Sequence, residues 1–424
     1  MDSLRAADSA NGFVDAHLRR NFVALAMDYG FFGLGMSFAS TATILPALAE
    51  RLQASNLIIG ALPFLVLLGR SAPALFSARL IEPLPRKLPF VLTYTPWERL
   101  PWLALALAVY FLGESNPGLV LMLLVGVLAL VSLVGGSLSP AWTDLVGKVI
   151  PTSYRGRFFA LGGAFSTGLG LLGAAASGYV LQEYAFPTGY ALCLGAAFLC
   201  LVASYASMAM AREPAIGTGG HPLHLRVHMA RLPQILRANR SFGWYLVAQA
   251  LRVFGTMAFG FYAVYALRFL EAREWNVAGF TFVLLAAQAA AGLALGALAD
   301  REGHRASLLV GMIAAASASA LAVLAGDLVL YHGVFLLAGV GMAANNISSQ
   351  NLVLELSGRE ERPTYLGLAS TSQAPFALVA PLLAASLADG IGLPAVFVAA
   401  GMASTASAAV YLFRVEEPRG RLVG

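Results

Sequence analysis

Residues Gly118 to Gly135 read Gly-Leu-Val-Leu-Met-Leu-Leu-Val-Gly-Val-Leu-Ala-Leu-Val-Ser-Leu-Val-Gly, a stretch without a single charge. A helix rises about 1.5 Å per residue, so a run of this length approaches the roughly 30 Å thickness of a bilayer's hydrocarbon core. A helix also satisfies its own backbone groups, which lipid cannot do. The same composition extends over the whole chain. Of 424 residues, 58% are hydrophobic and 12% charged, against about 25% charged in soluble domains, and the mean hydropathy is +0.74. The sequence therefore predicts an all-α polytopic membrane protein.

Hydropathy read against Gly, Pro and charge punctuation places twelve transmembrane helices near 21–49, 56–79, 88–112, 118–143, 158–181 and 189–211, then 241–267, 276–299, 306–326, 330–354, 364–388 and 392–413. This divides the chain into an N-terminal tail (1–20), a six-helix bundle (21–211), a linker (212–240), a second six-helix bundle (241–413) and a C-terminal tail (414–424). The first tail carries Asp2, Asp8, Asp15, Arg19 and Arg20 and lacks the apolar core of a cleavable signal peptide, so span 1 is expected to act as its own insertion signal. Of the 27 Lys and Arg residues, Arg51, Arg268 and Arg273 fall in the loops opposite the tails, and Arg70, Arg99 and Arg252 fall within spans. All the others fall on the side of the tails and linker. The positive-inside rule then makes both termini cytoplasmic, in the inner membrane of a bacterial source. The net charge of +5 is thus a topological signal, and lipid rather than nucleic acid is the expected surface partner.

Cys193 and Cys200 lie about 10 Å apart along one helix, too far to bridge. In the linker, His221, His224 and His228 have the spacing of metal ligands on a helix. The same segment sets Leu225, Met229, Leu232 and Leu236 opposite Arg226, Arg231 and Arg237, a basic amphipathic helix suited to the membrane surface. The second reading is favoured, so no metal site is expected. No nucleotide-binding lysine loop, HExxH motif or nucleophile elbow occurs, so neither an enzyme, an ATP-driven pump nor a bound cofactor is expected.

Six spans, a basic linker and six more spans form an internal repeat. Short motifs recur with it. After span 8 comes Gly296-Ala-Leu-Ala-Asp300-Arg301-Glu-Gly303-His-Arg305, and after span 2 comes Ala78-Arg-Leu-Ile-Glu82-Pro83-Leu-Pro85-Arg86-Lys87. After span 4 stands Pro151-Thr-Ser-Tyr-Arg155-Gly156-Arg157, and after span 10 Arg359-Glu-Glu-Arg362-Pro363-Thr-Tyr-Leu-Gly367. These stretches, with Ile44-Leu-Pro46 at the end of span 1, resemble the major facilitator superfamily, whose signature loop follows spans 2 and 8. The copy at 296–305 is close. The copy at 78–87 departs from the pattern, with Ala78 and Pro85 in place of glycines and Glu82 in place of aspartate. The resemblance implies two pseudo-symmetric six-helix bundles, with spans 1, 4, 7 and 10 lining a central cavity. It also implies a conformational latch carried by Gly296, Asp300, Arg301, Gly303, Arg305, Glu82 and Arg155. The physics agrees, because a carboxylate such as Asp300 at a span end can dock on free N–H groups at a neighbouring helix N-terminus, a contact of about 1 to 2 kcal/mol.

Charges inside the membrane carry the functional information, at about 2.5 to 3.5 kcal/mol each for insertion. Arg99 and Arg252 lie about 16 Å deep in a roughly 30 Å core and cannot easily reach water. Arg70 is about 10 Å from the cytoplasmic face and suits an interfacial anchor. Glu98 precedes Arg99 in Pro96-Trp-Glu-Arg-Leu-Pro101, where two prolines free backbone carbonyls. Adjacent helical residues point about 100° apart, so Glu98 and Arg99 cannot simply pair with each other and at least one must look to another helix. Either they make a structural interhelical pair or they act on substrate and proton. Asp28, in Leu25-Ala-Met-Asp-Tyr-Gly, is the other buried carboxylate, and it is either a static partner of an arginine or a proton-coupling group.

Span 10 holds Asn345-Asn346-Ile-Ser348-Ser349-Gln350-Asn351, a broad polar surface suited to a watered cavity wall. Gln249 and Gln288 are weaker candidates of the same kind. Span 5 is rich in Gly162, Gly163, Gly168, Gly170, Gly173 and Gly178, which suits close packing. It resembles the family's antiporter motif, except that Ala174 stands in place of its proline. The expectation is a monomeric secondary transporter of a small organic solute, leaning anionic. Arg252, Asn345, Asn346, Gln249 and Arg99 would bind substrate, and Asp28 and Glu98 would couple protons. The alternatives are an uncoupled facilitator, a multidrug-type proton antiporter, and a receptor or assembly factor on the same scaffold.

Overall fold

The computed structural model describes residues 2–81, 84–215, 239–357 and 362–417, and every regular element among them is a helix. Nine are long and apolar enough to cross a membrane: Pro117–Val149, Thr152–Glu183, Thr188–Ala209, Arg240–Phe269, Glu274–Glu302, His304–Leu324, Leu328–Leu356, Thr364–Gly390 and Leu393–Phe413. They correspond to spans 4 to 12. The first three spans fall on Asp2–Phe38 with Ile44–Arg51, on Asn56–Ile81, and on Leu88–Tyr94 with Pro96–Leu112. Large apolar side chains such as Met122, Leu293 and Phe413 point outward, as lipid-facing positions require. The linker histidines, the amphipathic pattern beside them and Glu82 lie outside the described residues.

Several spans are broken where the sequence reading has them continuous. The expected first span, 21–49, is two helices separated by residues 39–43. Pro46 is the reason, since its ring excludes the carbonyl four residues earlier from a helical position. The expected polar tail, by contrast, is helical from Asp2 and runs into span 1. Span 3 breaks at Thr95, because Pro96 has no N–H for the carbonyl of Leu92. That freed carbonyl accepts from the Tyr205 hydroxyl of span 6 at 3.2 Å. Span 7 tightens to a 3-10 turn at Thr256–Ala258, and span 11 breaks between Thr371 and Ala374, just ahead of Pro375.

The chain forms two compact units, one of Met1–Ser40 with Leu65–Leu223 and one of Thr41–Phe64 with His224–Gly424. In the first, Leu25, Val91, Leu145, Phe158 and Met208 share a core. In the second, Phe242, Tyr245, Leu308, Leu352, Tyr365 and Tyr411 do. Helix pairings repeat with an offset of six: spans 3 and 4, 3 and 6, and 1 and 6 pack in the first unit, and 9 and 10, 9 and 12, and 7 and 12 in the second.

The segment Thr41–Phe64 joins the second unit through polar contacts. Arg268 grips Glu50 with Nε at 2.7 Å and Nη2 at 2.6 Å. Arg51 pairs with Glu274, and Asn56 donates to Asp389 at 2.6 Å. Thr43 and Thr281 share a buried hydroxyl bond.

Candidate functional site

The first unit encloses a cavity of about 240 Å³ against spans 1, 2, 3, 4 and 6. Its charged lining is Asp28, Arg70, Glu98 and Arg99, and its aromatic lining is Tyr29, Phe32 and Trp142. Pro96 restarts span 3 just before Glu98, and the tightened first turn shows in the bond from Glu98 N to Thr95 O at 2.9 Å. Glu98 and Arg99 therefore enter the cavity from the start of a helix.

Asp28 is 4% exposed, and both its oxygens are occupied. Ser204 Oγ donates to Oδ1 at 2.5 Å and Trp142 Nε1 donates to Oδ2 at 2.9 Å. Arg99 Nη2 lies 4.0 Å from Oδ1, an attraction without a direct hydrogen bond. The guanidinium stands over the Phe32 ring, 5.4 Å from its centroid. Its Nε and Nη1 are buried and donate to no group among the described residues. A buried guanidinium with idle donors is costly, and water or a ligand supplying acceptors would remove that cost. Arg70 is exposed and lines the same cavity.

The second unit carries its own polar cluster. Arg252 Nε donates to Gln249 Oε1 at 2.5 Å and Nη2 to Gln373 Oε1 at 2.6 Å. Gln249 in turn donates to the Tyr245 hydroxyl at 2.8 Å and to Ser349 Oγ at 2.7 Å. Span 10 thus contributes Ser349 rather than its asparagines to this network. Asn345 is half-buried with an Oδ1 that accepts from no described group, and Asn346 is exposed. Gln288 donates to the Met342 sulfur at 3.4 Å and stands apart. Gln373 and Tyr245 escaped the sequence reading. Only the proline at 375 hinted that a polar side chain sits at a helix break.

In the signature loop, Gly296, Asp300 and Arg301 belong to the helix Glu274–Glu302, with Asp300 and Arg301 in its last turn. Gly303 ends that helix at φ +92°, a conformation that disfavours any side chain, and a Cβ there would collide with the Glu417 carboxyl group. Arg305 N donates to Glu417 Oε2 at 3.2 Å and its Nη1 to Val415 O at 3.0 Å. The loop is therefore held by the end of span 12. Arg155 caps the other half's span 4, donating Nε to Ile150 O at 3.0 Å and bonding the Gly147 carbonyl.

A family model described as Major Facilitator Superfamily matches residues 27–374 and 272–423. The chain belongs to that superfamily. It is an integral membrane protein of a transporter family rather than an enzyme family. No curated relative matches the chain. Solved structures share its fold at low identity. A mutant of the nucleoside transporter NupG has a TM-score of 0.70 at 10% identity, over 94% of this chain and 99% of that one. A bacterial homologue of the iron transporter ferroportin in its inward-facing state has 0.67 at 14%, over 94% and 99%. A POT family transporter in complex with 5-aminolevulinic acid has 0.67 at 11%, over 94% and 95%.

One feature of this superfamily member was invisible in its sequence. Glu213, after span 6, accepts from Lys87 N at 2.8 Å and Leu88 N at 2.7 Å, placing a carboxylate on the N-terminus of span 3. Lys148 reaches the same carboxylate at 3.5 Å. Lys87, the last residue of the 78–87 copy of the signature loop, is fully buried and donates to Ile81 O and Leu84 O at 2.6 and 2.8 Å. Arg-Glu-Pro in a polar stretch looks the same whether solvated or buried.

Proposed function

We propose that the protein is a proton-coupled secondary transporter of a small organic solute with an anionic group, working by alternating access of its two six-helix halves. The observation that carries this reading is Arg99: a buried guanidinium in a membrane-depth cavity, with two donors that meet no described acceptor. A planar carboxylate or phosphate edge suits those donors. A cavity of about 240 Å³ is smaller than the roughly 300–1,000 Å³ of drug-sized sites, which favours a metabolite-sized solute. Asp28 and Glu98 supply carboxylates for proton coupling. Arg252, Gln249, Asn345 and Asn346 would contribute to recognition from the second half. The loop Gly296 to Arg305, with Arg155, would act as the conformational latch. Both termini would be cytoplasmic, in the inner membrane of a bacterial source, and the working unit a monomer.

A thermal-shift screen of metabolites on the purified protein finds the substrate, since a ligand at 100 times its dissociation constant stabilises by about 2.7 kcal/mol. Uptake of the hit into proteoliposomes with and without a pH gradient then tests the reading. Anionic hits, accumulated only with the gradient and lost in Arg99→Gln, are the expected outcome. Equilibration without accumulation makes the protein a facilitator. Cationic hits expelled against protons make it an antiporter, and the absence of any flux refutes transport.

A further inference from the structure

The cavity contains two carboxylates, and their surroundings differ in kind. Asp28 is held on both oxygens by neutral donors from two other helices, Ser204 of span 6 and Trp142 of span 4, with Arg99 at 4.0 Å. Asp28 is thereby fixed in place beside Arg99 with both of its oxygens already engaged, the geometry of a static counter-ion. Glu98 has none of this. Among the described residues its carboxylate accepts no hydrogen bond and has no cation within 4.0 Å.

The groups that face Glu98 bound what it can do. Span 1 presents Asp28 and Tyr29, span 2 presents Arg70, and span 3 itself presents Arg99. Span 4 presents Gly135, Ser139, Trp142 and Thr143, and span 6 presents Met208, none of them charged. The carboxylate rests on Gly135, where a Cβ would stand 2.6 Å from Oε1. The adjacent Gly136 lets span 4 press on the backbone of Gly69 and Arg70 in span 2. The Gly135-Gly136 pair thus makes both the seat for Glu98 and the contact that brings Arg70 into the cavity.

We propose that Glu98 is the proton-carrying group of the site, that Asp28 is the fixed counter-ion of Arg99, and that Gly135 is a positioning residue whose missing side chain seats Glu98. This rests on the proton-coupled reading above and assigns its proton. With Glu98 ionised, the cavity's two carboxylates balance Arg70 and Arg99. When Glu98 takes one proton from water, Asp28 remains with the cavity's two guanidinium groups, and the cavity holds one positive charge in excess. An anionic solute restores neutrality. Proton and anion then favour each other's binding, within the 5- to 150-fold range of typical couplings between sites. Release of the anion on the far side returns the excess charge, which expels the proton from Glu98.

The test needs no substrate. Infrared difference spectra between low and high pH, recorded on the purified full-length protein in lipid, report protonated carboxyl groups by their C=O stretch. The wild type is expected to show a titrating buried-carboxyl band that Glu98→Gln removes and Asp28→Asn retains. Glu98→Asp should keep the band at a shifted frequency, and Gly135→Ala should shift it without abolishing it. These two variants carry the test should Glu98→Gln not be recovered folded. A band that survives Glu98→Gln, one that disappears with Asp28→Asn alone, or one that neither Glu98→Asp nor Gly135→Ala moves overturns the assignment. If the band behaves as expected while the protein moves no protons with any solute, the transport reading fails and the assignment of the titrating group stands.

Discussion

Segment Thr41–Phe64 is held to the second unit by a few polar contacts beside buried apolar side chains such as Ile44, Leu48 and Ile59, and the alternating access proposed above would require those polar contacts to open. Consider Glu50→Gln. The Glu50 to Arg268 pair is two-pronged, at 2.7 and 2.6 Å, with side chains 24% and 29% exposed. An exposed ion pair contributes about 0.2 to 1 kcal/mol, and a two-pronged, half-sheltered one belongs at or just above that limit, about 1 to 1.5 kcal/mol. At about 1.4 kcal/mol per factor of ten, its loss raises the released population of the segment about 5- to 12-fold. Ala54 is a suitable reporter, being 7% exposed and next to this segment's helix end. In an Ala54→Cys protein lacking Cys200, the rate of labelling by a water-soluble maleimide should rise by that factor on Glu50→Gln. The swap Glu50→Arg with Arg268→Glu should restore slow labelling, and high salt should narrow the difference. A rate that Glu50→Gln leaves within twofold of the parent would show that this pair does not hold the segment.

Three further outcomes follow from packing and charge. Gly136→Ala should lower stability by about 1 to 3 kcal/mol, because its Cβ meets backbone atoms of Gly69 and Arg70 that cannot turn aside; Gly126→Ala, with nothing within 4 Å, should change the melting temperature little. Ser204→Ala should cost about 1.5 to 3 kcal/mol for a lost bond to a charge, and Asp28→Leu about 3 to 5, because Arg99 is left buried without its carboxylate; equal melting temperatures for the two variants would contradict the counter-ion role. Arg252→Lys should keep the fold but weaken an anionic ligand at least tenfold in thermal-shift titrations, since an ammonium cannot hold Gln249 and Gln373 in one plane and present a free edge.

The sequence alone determined the class of the protein and the order of its parts. Hydrophobic length is a one-dimensional property, so Gly118 to Gly135 and its counterparts declare themselves as spans whatever packs beside them. The signature at 296–305 pointed to the superfamily because Gly303 and its neighbours answer to local backbone geometry, here φ +92°. The rarity of charge in lipid picked out Asp28, Glu98, Arg99 and Arg252. What sequence leaves open is partnership, since it depends on which atoms from distant helices converge. Nothing in the order of residues says that Ser204 and Trp142 occupy both oxygens of Asp28 while Glu98 is left on a glycine. Nor does it say that Glu213 caps span 3, or that Thr41–Phe64 packs with the second unit. Burial makes a charge informative, but only the tertiary structure decides whether that charge is already satisfied, because satisfaction is a matter of a few tenths of an ångström between groups far apart in the chain.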